Sequence, residues 1–321
     1  MPSSSDPLPL ALVAVTRIAV YVCTYKRNEP LVRLLGTLQA AADAVSDRAA
    51  VGVVIVDDNP DGRAQVVVDG FDHHFPLGLH YRHAGSQNIS IARNTGLEAA
   101  SQIGDWVAMT DDDIMVPEDW FVQHLDLQAR TRADATTGPL LLQFPTDAPS
   151  WIHDEPFDRF GLLDFAEDEK VPICATGNSM LRASFLIEHP DIRFDPDLGV
   201  LGGEDMVFYR AAVGQGLQCY FSTKTAVFEV EPHERSTMRY QLGRAMWMGN
   251  TQFLTNHRSG DATRLRLFLR GGRQVARALV RPMSRVASGA RPQLRFTAAM
   301  ACEGLGMMAG VFGVELDHHE L

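Results

Sequence analysis

The sequence predicts an α/β protein built on a twisted, mainly parallel sheet flanked by helices, and three observations predict it. Apolar runs rich in β-branched residues at 17–23 ("RIAVYVC") and 51–57 ("VGVVIVD") flank a segment of helical periodicity, "LVRLLGTLQAAADAV". That is a βαβ unit, whose strands run parallel. The alternation then repeats along the chain, and no internal repeat competes with it. Finally, 321 residues at 45% hydrophobic can bury the core of one large α/β domain.

In chain order, a short strand is expected near "LGLHYR", a helix across "NISIARNTGLEAASQ", a strand at "DWVAMT" and a helix from Pro117. A Pro- and Asp-rich stretch at 144–170 reads as an irregular flap. Beyond it come strand-like "ICATGNSML", a helix through "EDMVFYRAAVGQG", strand-like "LQCYFS" and "AVFEV", and helical sequence from about Arg235. The division that follows is an N-terminal tail at 1–16, a main domain at 17–257 and a basic, amphipathic, helical extension at 258–321. The apolar N-terminal "PLPLALVAV" has neither a preceding basic residue nor a small-residue cleavage site, so a secretory signal is not expected. Cys23, Cys174, Cys219 and Cys302 form no CxxC pair and suggest a reducing, cytoplasmic setting.

Charge is unevenly placed. The net charge is −11, yet residues 258–295 contain ten arginines and one acid, Asp261, for a local +9. The remaining 19 basic and 39 acidic residues leave the rest of the chain at −20. Such a division excludes a general nucleic-acid binder and marks one local basic surface.

Two expected strands end in acids: Asp57 and Asp58 in "VVIVDDN", and Asp111, Asp112 and Asp113 in "WVAMTDDD". In one sheet they open onto the same edge, where ligands of such folds bind. Crowded carboxylates repel and raise one another's pKa unless a cation neutralises them, and hard oxygen donors suit Mn²⁺ or Mg²⁺. "DDNPDG" alone reads equally well as a solvated turn. The chain has no GxGxxG after a strand and no GxxxxGK[ST], so the common glycine loops for nucleotides are missing. A cation on strand-end acids is another way to grip a diphosphate.

The ordered set "VCTYKRNE", "VVIVDDN", "SQNISIARNTGL", "TDDD", "TGNSMLR" and "GGEDMVFYR" resembles family 2 glycosyltransferases of the GT-A fold, in particular bacterial exopolysaccharide enzymes of the succinoglycan type. The likeness runs from Ile18 to Met248. It implies that Tyr25, with Cys23 and Thr24, lines a base pocket, that Asp58 accepts hydrogen bonds from uracil or ribose, and that Arg93 lies near the nucleotide. It implies a D-x-D pair of Asp111 and Asp113, with Asp113 first for direct metal contact and Asp112 near the donor. Asp205, at a helix start after two glycines, becomes the general base, and Glu204 binds the acceptor. An ordinary acidic helix N-terminus would look the same. "ATGNSML" would lie beneath the donor sugar or serve simply as a core strand with a turn.

The reaction implied is a single inverting displacement, with a nucleotide-sugar donor, UDP-linked by family likeness, and a glycan or polyprenyl-diphosphate-linked acceptor. Gln241 and Arg244 resemble the QxxRW motif of processive synthases, but its Trp position is Ala245 and Trp247 lies two residues on, which argues against processive polymerisation. His233 is a weak candidate for a third metal ligand. Two rivals stand beside this reading. A nucleotidyltransferase would carry a Gly-rich basic loop where "CTYKRNEP" has no glycine, and a noncatalytic glycan-binding protein would not need Asp111, Asp113 and Asp205.

In the extension, Arg266, Arg270, Arg273, Arg277 and Arg281 recur at helical spacing with Leu267, Phe268, Val275 and Leu279 among them. Such a stripe suits an anionic membrane surface or a solvated helix face, and Gly271-Gly272 and Pro282 are expected to interrupt it. "FTAAMACEGLGMMAGVFGV" is long enough to span a bilayer, but its Ala/Gly content and Glu303 favour peripheral attachment on the inner face of the membrane.

Overall fold

The computed structural model describes residues 15–159, 165–260 and 262–316. The N-terminal "PLPLALVAV", apart from Val15, lies outside them. The strands and helices, in order, are β1 (Thr16–Thr24), α1 (Asn28–Ala44), β2 (Ala49–Asp57), α2 (Gln65–Gly70), β3 (Leu79–His83), α3 (Ile89–Ile103), β4 (Trp106–Asp111), β5 (Ile114–Met115), α4 (Trp120–Thr131), β6 (Ala135–Thr137) and β7 (Leu140–Gln143). There follow α5 (Ser150–Asp154), β8 (Glu169–Lys170), β9 (Ser179–Arg182), α6 (Ala183–Glu188), α7 (Glu204–Gly214), β10 (Cys219–Phe221), β11 (Val227–Val230), α8 (Met238–Arg258), α9 (Arg264–Ala287) and α10 (Leu294–Val311).

The main sheet has the order β3-β2-β1-β4-β9-β6-β10-β8. Strands β3, β2, β1 and β4 are parallel neighbours, whereas β9 enters antiparallel between β4 and β6. A second sheet, β5-β11-β7, stands beside it. The apolar runs are continuous because the strands are covered on both faces. Along β1, Ile18, Val20 and Val22 pack on one side with Leu31, Leu34, Leu35 and Leu38 of α1, while Ala19, Tyr21 and Cys23 pack on the other with Ala92 and Leu97 of α3. This alternation decides which helix each strand-end side chain meets.

Two expectations change. The stretch after Phe144 is not wholly irregular: it contains α5, and Phe144, Ala148, Ile152 and Phe157 share a small core with Ala245 of α8 and Ala299 of α10. Helix α9 is one element despite Gly271-Gly272 and Pro282. Gly271 is needed for a close crossing, since a Cβ there would stand 2.6 Å from the Gly304 carbonyl oxygen of α10. Pro282 lies inside the helix, near its C-terminal end.

The Ala/Gly content of α10 has the same explanation. Cβ atoms at Gly249 of α8 and Gly306 of α10 would collide with backbone of the facing helix. Small residues let α8, α9 and α10 pack backbone to backbone, so this sequence serves a helix bundle. Among the described residues, no helix is long and apolar enough to cross a membrane.

Candidate active site

Register brings the acids together. Thr24 pairs with Asp57 and Cys23 with Asp111, so β1, β2 and β4 finish side by side. Asp57 is a turn residue: it accepts from the backbone N–H of Asn59 (2.9 Å) and Ala64 (2.6 Å) and from the Tyr81 hydroxyl. Asp58 is buried and accepts from the Ser86 N–H (2.8 Å) and hydroxyl (2.6 Å), both on Oδ1. It thereby ties the end of β2 to the loop that opens α3.

The three consecutive aspartates diverge. Asp111 shares the β4 face of Val107 and Met109, the face covered by α3, and there it accepts from Arg93 at 3.2 Å. Its side chain is 35% exposed. Thr24 projects to the α1 side and donates to Asp112 at 2.7 Å. Arg27, just before α1, donates to Asp112 (3.1 Å) and Asp113 (2.6 Å). Burial first, then the Asp113 charge, push Asp112 up to about 7 despite Arg27, and burial also raises Asp113. Gly177, in the "ATGNS" turn, faces Asp111: a Cβ there would stand 3.1 Å from Asp111 Oδ2.

Arg93 joins this edge to the second motif. Its guanidinium is buried, ion-pairs with Glu204 as well as Asp111, and lies 5.8 Å from the centre of the Phe194 ring. Asn88 caps α3 by accepting from the N–H groups of Ser90 and Ile91, and donates to the Pro196 carbonyl at 2.9 Å. Asn94 both donates to and accepts from the Phe194 backbone. "NISIARN" therefore clamps the loop that leads into α7.

Helix α7 begins after Gly202 and Gly203, both with φ +85°. That left-handed conformation suits glycine. A Cβ at Gly202 would also stand 2.6 Å from the Trp247 ring, whose Nε1–H donates to the Leu201 carbonyl at 3.1 Å. Trp247 of α8 is thus the floor of this loop. Glu204 is buried, and its Oε2 has no hydrogen-bond partner among the described residues. Burial lifts Glu204 to about 7, with Arg93 opposing and Asp205 and Asp111 adding. Asp205 is half-buried, accepts from the Met206 N–H at 2.7 Å, and is also raised by burial against the pull of Arg93.

The remaining candidates occupy distinct positions. Tyr25 is exposed, and its hydroxyl donates to Gln87 Oε1 at 3.3 Å. Lys26 and Gln87, on the two facing loops, both have positive φ, +58° and +53°. The Cys23 side chain packs in the core, where burial keeps the thiol protonated. His233 is exposed and sits 3.1 Å from Asp147. Gln241 donates to the Arg235 carbonyl, Arg244 pairs with buried Glu231, and Ala245 is core.

Several contributors escaped sequence reasoning. Arg27 stands in a quoted motif without an assigned partner. Glu229, which with Pro232 and Arg235 matches an acid, a Pro and an Arg that recur in the resembled family, gained no role from the sequence; burial raises it to about 7, with Asp113 adding, so it belongs to the same electrostatic cluster. Gly177 acts through the close approach that the small residues of "ATGNSML" allow, and Trp247, marked in the sequence only by its displacement from the QxxRW position, packs against Gly202.

Among the described residues, no three His, Cys, Asp or Glu side chains form a ready cage for an ion. The donor set still fits a hard cation. Such ions are commonly held by one or two carboxylates with phosphate and water oxygens completing the shell; Asp111 at the lip of the cleft is a candidate for one, with Asp113, bonded to Arg27, as the candidate second.

The comparisons identify the family and the fold. The family model for glycosyl transferase family 2 matches residues 19–189. The succinoglycan biosynthesis protein ExoM of Rhizobium meliloti (strain 1021) is 33% identical over 237 residues, 73% of each chain. Two solved structures share the GT-A fold at low identity. A mannosyltransferase of Pyrobaculum calidifontis, in complex with GDP-Man and Mn²⁺, has TM-score 0.56 and 17% identity, covering 96% of this chain and 77% of that one. S. aureus TarS 1-349, in complex with UDP, has TM-score 0.50 and 14% identity, covering 92% and 91%. With a family model spanning more than half its length and a relative 33% identical over nearly three quarters of it, the chain belongs to glycosyl transferase family 2.

Proposed function

We propose that the protein is an inverting, divalent-metal-dependent glycosyltransferase. It moves a hexosyl group from a nucleotide-sugar, UDP-linked by family likeness, to a glycan or polyprenyl-diphosphate-linked acceptor in exopolysaccharide assembly. The observation that carries this reading is Arg93: one buried guanidinium bonds both Asp111 at the sheet edge and Glu204 at the start of α7. That contact supports reading the sheet edge and the start of α7, where Asp205 follows Glu204, as one cleft.

In this reading Tyr25, Thr24 and the Cys23 backbone bound the nucleotide base. Asp58 has Oδ1 occupied by Ser86, which leaves Oδ2 to accept from ribose or uracil. Asp111 and Asp113 hold Mn²⁺ or Mg²⁺, the ion bound with its nucleotide in the P. calidifontis mannosyltransferase being Mn²⁺. A cation there supplies charge for the leaving diphosphate. Asp112 braces the site from below through Thr24 and Arg27.

Asp205 takes the proton of the acceptor hydroxyl as that oxygen bonds to the anomeric carbon and the bond from carbon to diphosphate breaks. A carboxylate raised towards the working pH is better matched to this proton transfer. One displacement inverts the anomeric centre. Glu204, held by Arg93, orients the acceptor side of the cleft.

The test is incubation of the purified protein with a panel of nucleotide-sugars, with Mn²⁺ or with EDTA, following nucleoside diphosphate release and product anomeric configuration by NMR. Metal-dependent release and an inverted product are expected. Pyrophosphate formation from nucleoside triphosphate and sugar phosphate would replace this reading with nucleotidyl transfer, and saturable glycan binding without turnover would replace it with a noncatalytic role.

A further inference from the structure

Helix α9 presents three sectors. Leu267, Gly271 and Ala278 face the bundle and are buried. At 100° per residue, Arg266, Arg270, Arg273 and Arg277 fall on a second sector, and all four are exposed. The third sector carries Leu265, Leu269, Leu279, Val280, Met283 and Val286, each 59 to 73% exposed. An exposed row of large apolar side chains over about six turns is unlike the isolated exposed hydrophobics of ordinary surfaces.

Among the described residues, none of Arg266, Arg270, Arg273 and Arg277 makes an ion pair, although the protein outside this region is strongly acidic. Arg270, Arg273 and Arg277 border a hollow of about 280 Å³ between α8, α9 and α10. Glu303, which also lines it, accepts from Gln252 (2.8 Å) and Gln274 (3.0 Å). Nearby, Arg281 is held down by burial and by repulsion from Arg285, a further sign of crowded positive charge.

We propose that α9 docks the enzyme on an anionic lipid bilayer: its apolar row enters the headgroup–acyl boundary, and Arg266, Arg270, Arg273 and Arg277 bind lipid phosphates, the last three seating one headgroup in the hollow. A helix with one strongly cationic flank and one apolar face lies in the plane of such an interface. This surface shares no residue with the candidate active site, so its failure and that of the catalytic reading are distinguishable.

Flotation of the full chain with vesicles of neutral phosphatidylcholine, or of phosphatidylcholine with 30% phosphatidylglycerol by design (about a third, enough for a strong surface potential), tests it. Binding to the anionic vesicles alone, weakened by salt, is expected. Each arginine contributes about fivefold in partition near a charged surface, so the combined change of Arg266, Arg270, Arg273 and Arg277 to Gln should lower binding by roughly 100-fold or more. A second variant, Leu269→Asn with Leu279→Asn and Met283→Asn, keeps the charge and should also lose most binding. Circular dichroism and metal-dependent donor hydrolysis should match the parent in both, since the altered groups are exposed.

Recovery of the parent chain in the vesicle-free fraction would overturn the proposal. So would unchanged binding of the arginine variant. Unchanged binding of the apolar variant would overturn the insertion of the row. A concentration-dependent dimer in sedimentation velocity, abolished by the apolar changes and accompanied by no vesicle binding, would assign the row to a second copy of the chain instead.

Discussion

The arginines of the sheet edge and those of α9 are the same side chain in opposite situations. Arg27, Arg93, Arg235 and Arg244 are each bonded to carboxylates of the cleft, and Arg93 is buried between two of them. Arg266, Arg270, Arg273 and Arg277 are exposed and make no ion pair among the described residues. A buried guanidinium is tolerated because planar, bidentate contacts satisfy it, and it fixes the position of the acids it touches. An exposed row without partners contributes nothing to folding and is free to meet a charged body from outside. The first set therefore shapes a site, whereas the second offers a surface.

The sharpest way to break this comparison is at the proposed base, Asp205. Asp205→Asn retains size and removes the proton acceptor, so donor binding should persist while transfer falls by about 10² to 10⁴. Glu204→Gln should act more on acceptor KM, because it removes binding common to ground and transition states. The check is the transfer rate at saturating donor and acceptor. If Glu204→Gln were inactive and Asp205→Asn near the parental rate, the two roles would be exchanged.

Next in size is Arg93→Ala, which strips the shared partner from Asp111 and Glu204. Removing one member of a buried ion pair costs about 3–5 kcal/mol, so urea unfolding should show a lower midpoint. Arg93→Lys keeps the charge but not the fork, and should recover only part of that stability. The same change at Arg273 in α9 should leave the midpoint unchanged, because nothing is left unpaired. Equal losses at the two positions would erase the distinction between the sets.

Asp113→Ala tests the cation directly. Isothermal titration with UDP and Mn²⁺ should show affinity lower by about 10–100-fold, at least the loss expected from disturbing a metal's supporting groups. Without metal the variant should be at least as stable as the parent, since a crowded like charge is gone. Unchanged affinity would remove Asp113 from the metal site.

Much of the fold and the outline of the cleft were legible in the sequence. Strands at 17–23, 51–57 and 106–110 announced themselves because burial on both faces makes apolar runs continuous, and their acids do end side by side, as expected. The helix start at Glu204 followed from its two glycines. What stayed hidden rests on long-range contact. Arg27 meets Asp113 across 86 positions, and no local spacing encodes that. The antiparallel β9 and the two-residue β5 are set by pairing partners, since so few residues cannot display a period. The continuity of α9 was hidden for the same reason: Gly271 looks like a break until Gly304 lies against it.

The smallest expected effect is thermodynamic and comes from the same buried acids. Asp112, Glu204 and Glu229 are each pushed up to about 7, in every case first by burial. The folded protein then binds protons more tightly than the unfolded chain, whose carboxyls titrate near 4. Stability from these groups is complete below the unfolded value and is lost as pH climbs through about 7. Buried His124, lowered to about 4 by desolvation, works the other way, but only below the usual histidine range. Between pH 6.5 and 8.5 the acids dominate, and the melting temperature should fall by roughly 3–6 °C. UDP with Mn²⁺ at pH 8.5 should restore part of the loss in the parent, because a bound cation screens the same carboxylates, and should restore less in Asp113→Ala. A melting temperature that rose with pH across this window would mean that the arginines of the cleft outweigh burial, and that its acids are fully ionised before any ligand arrives.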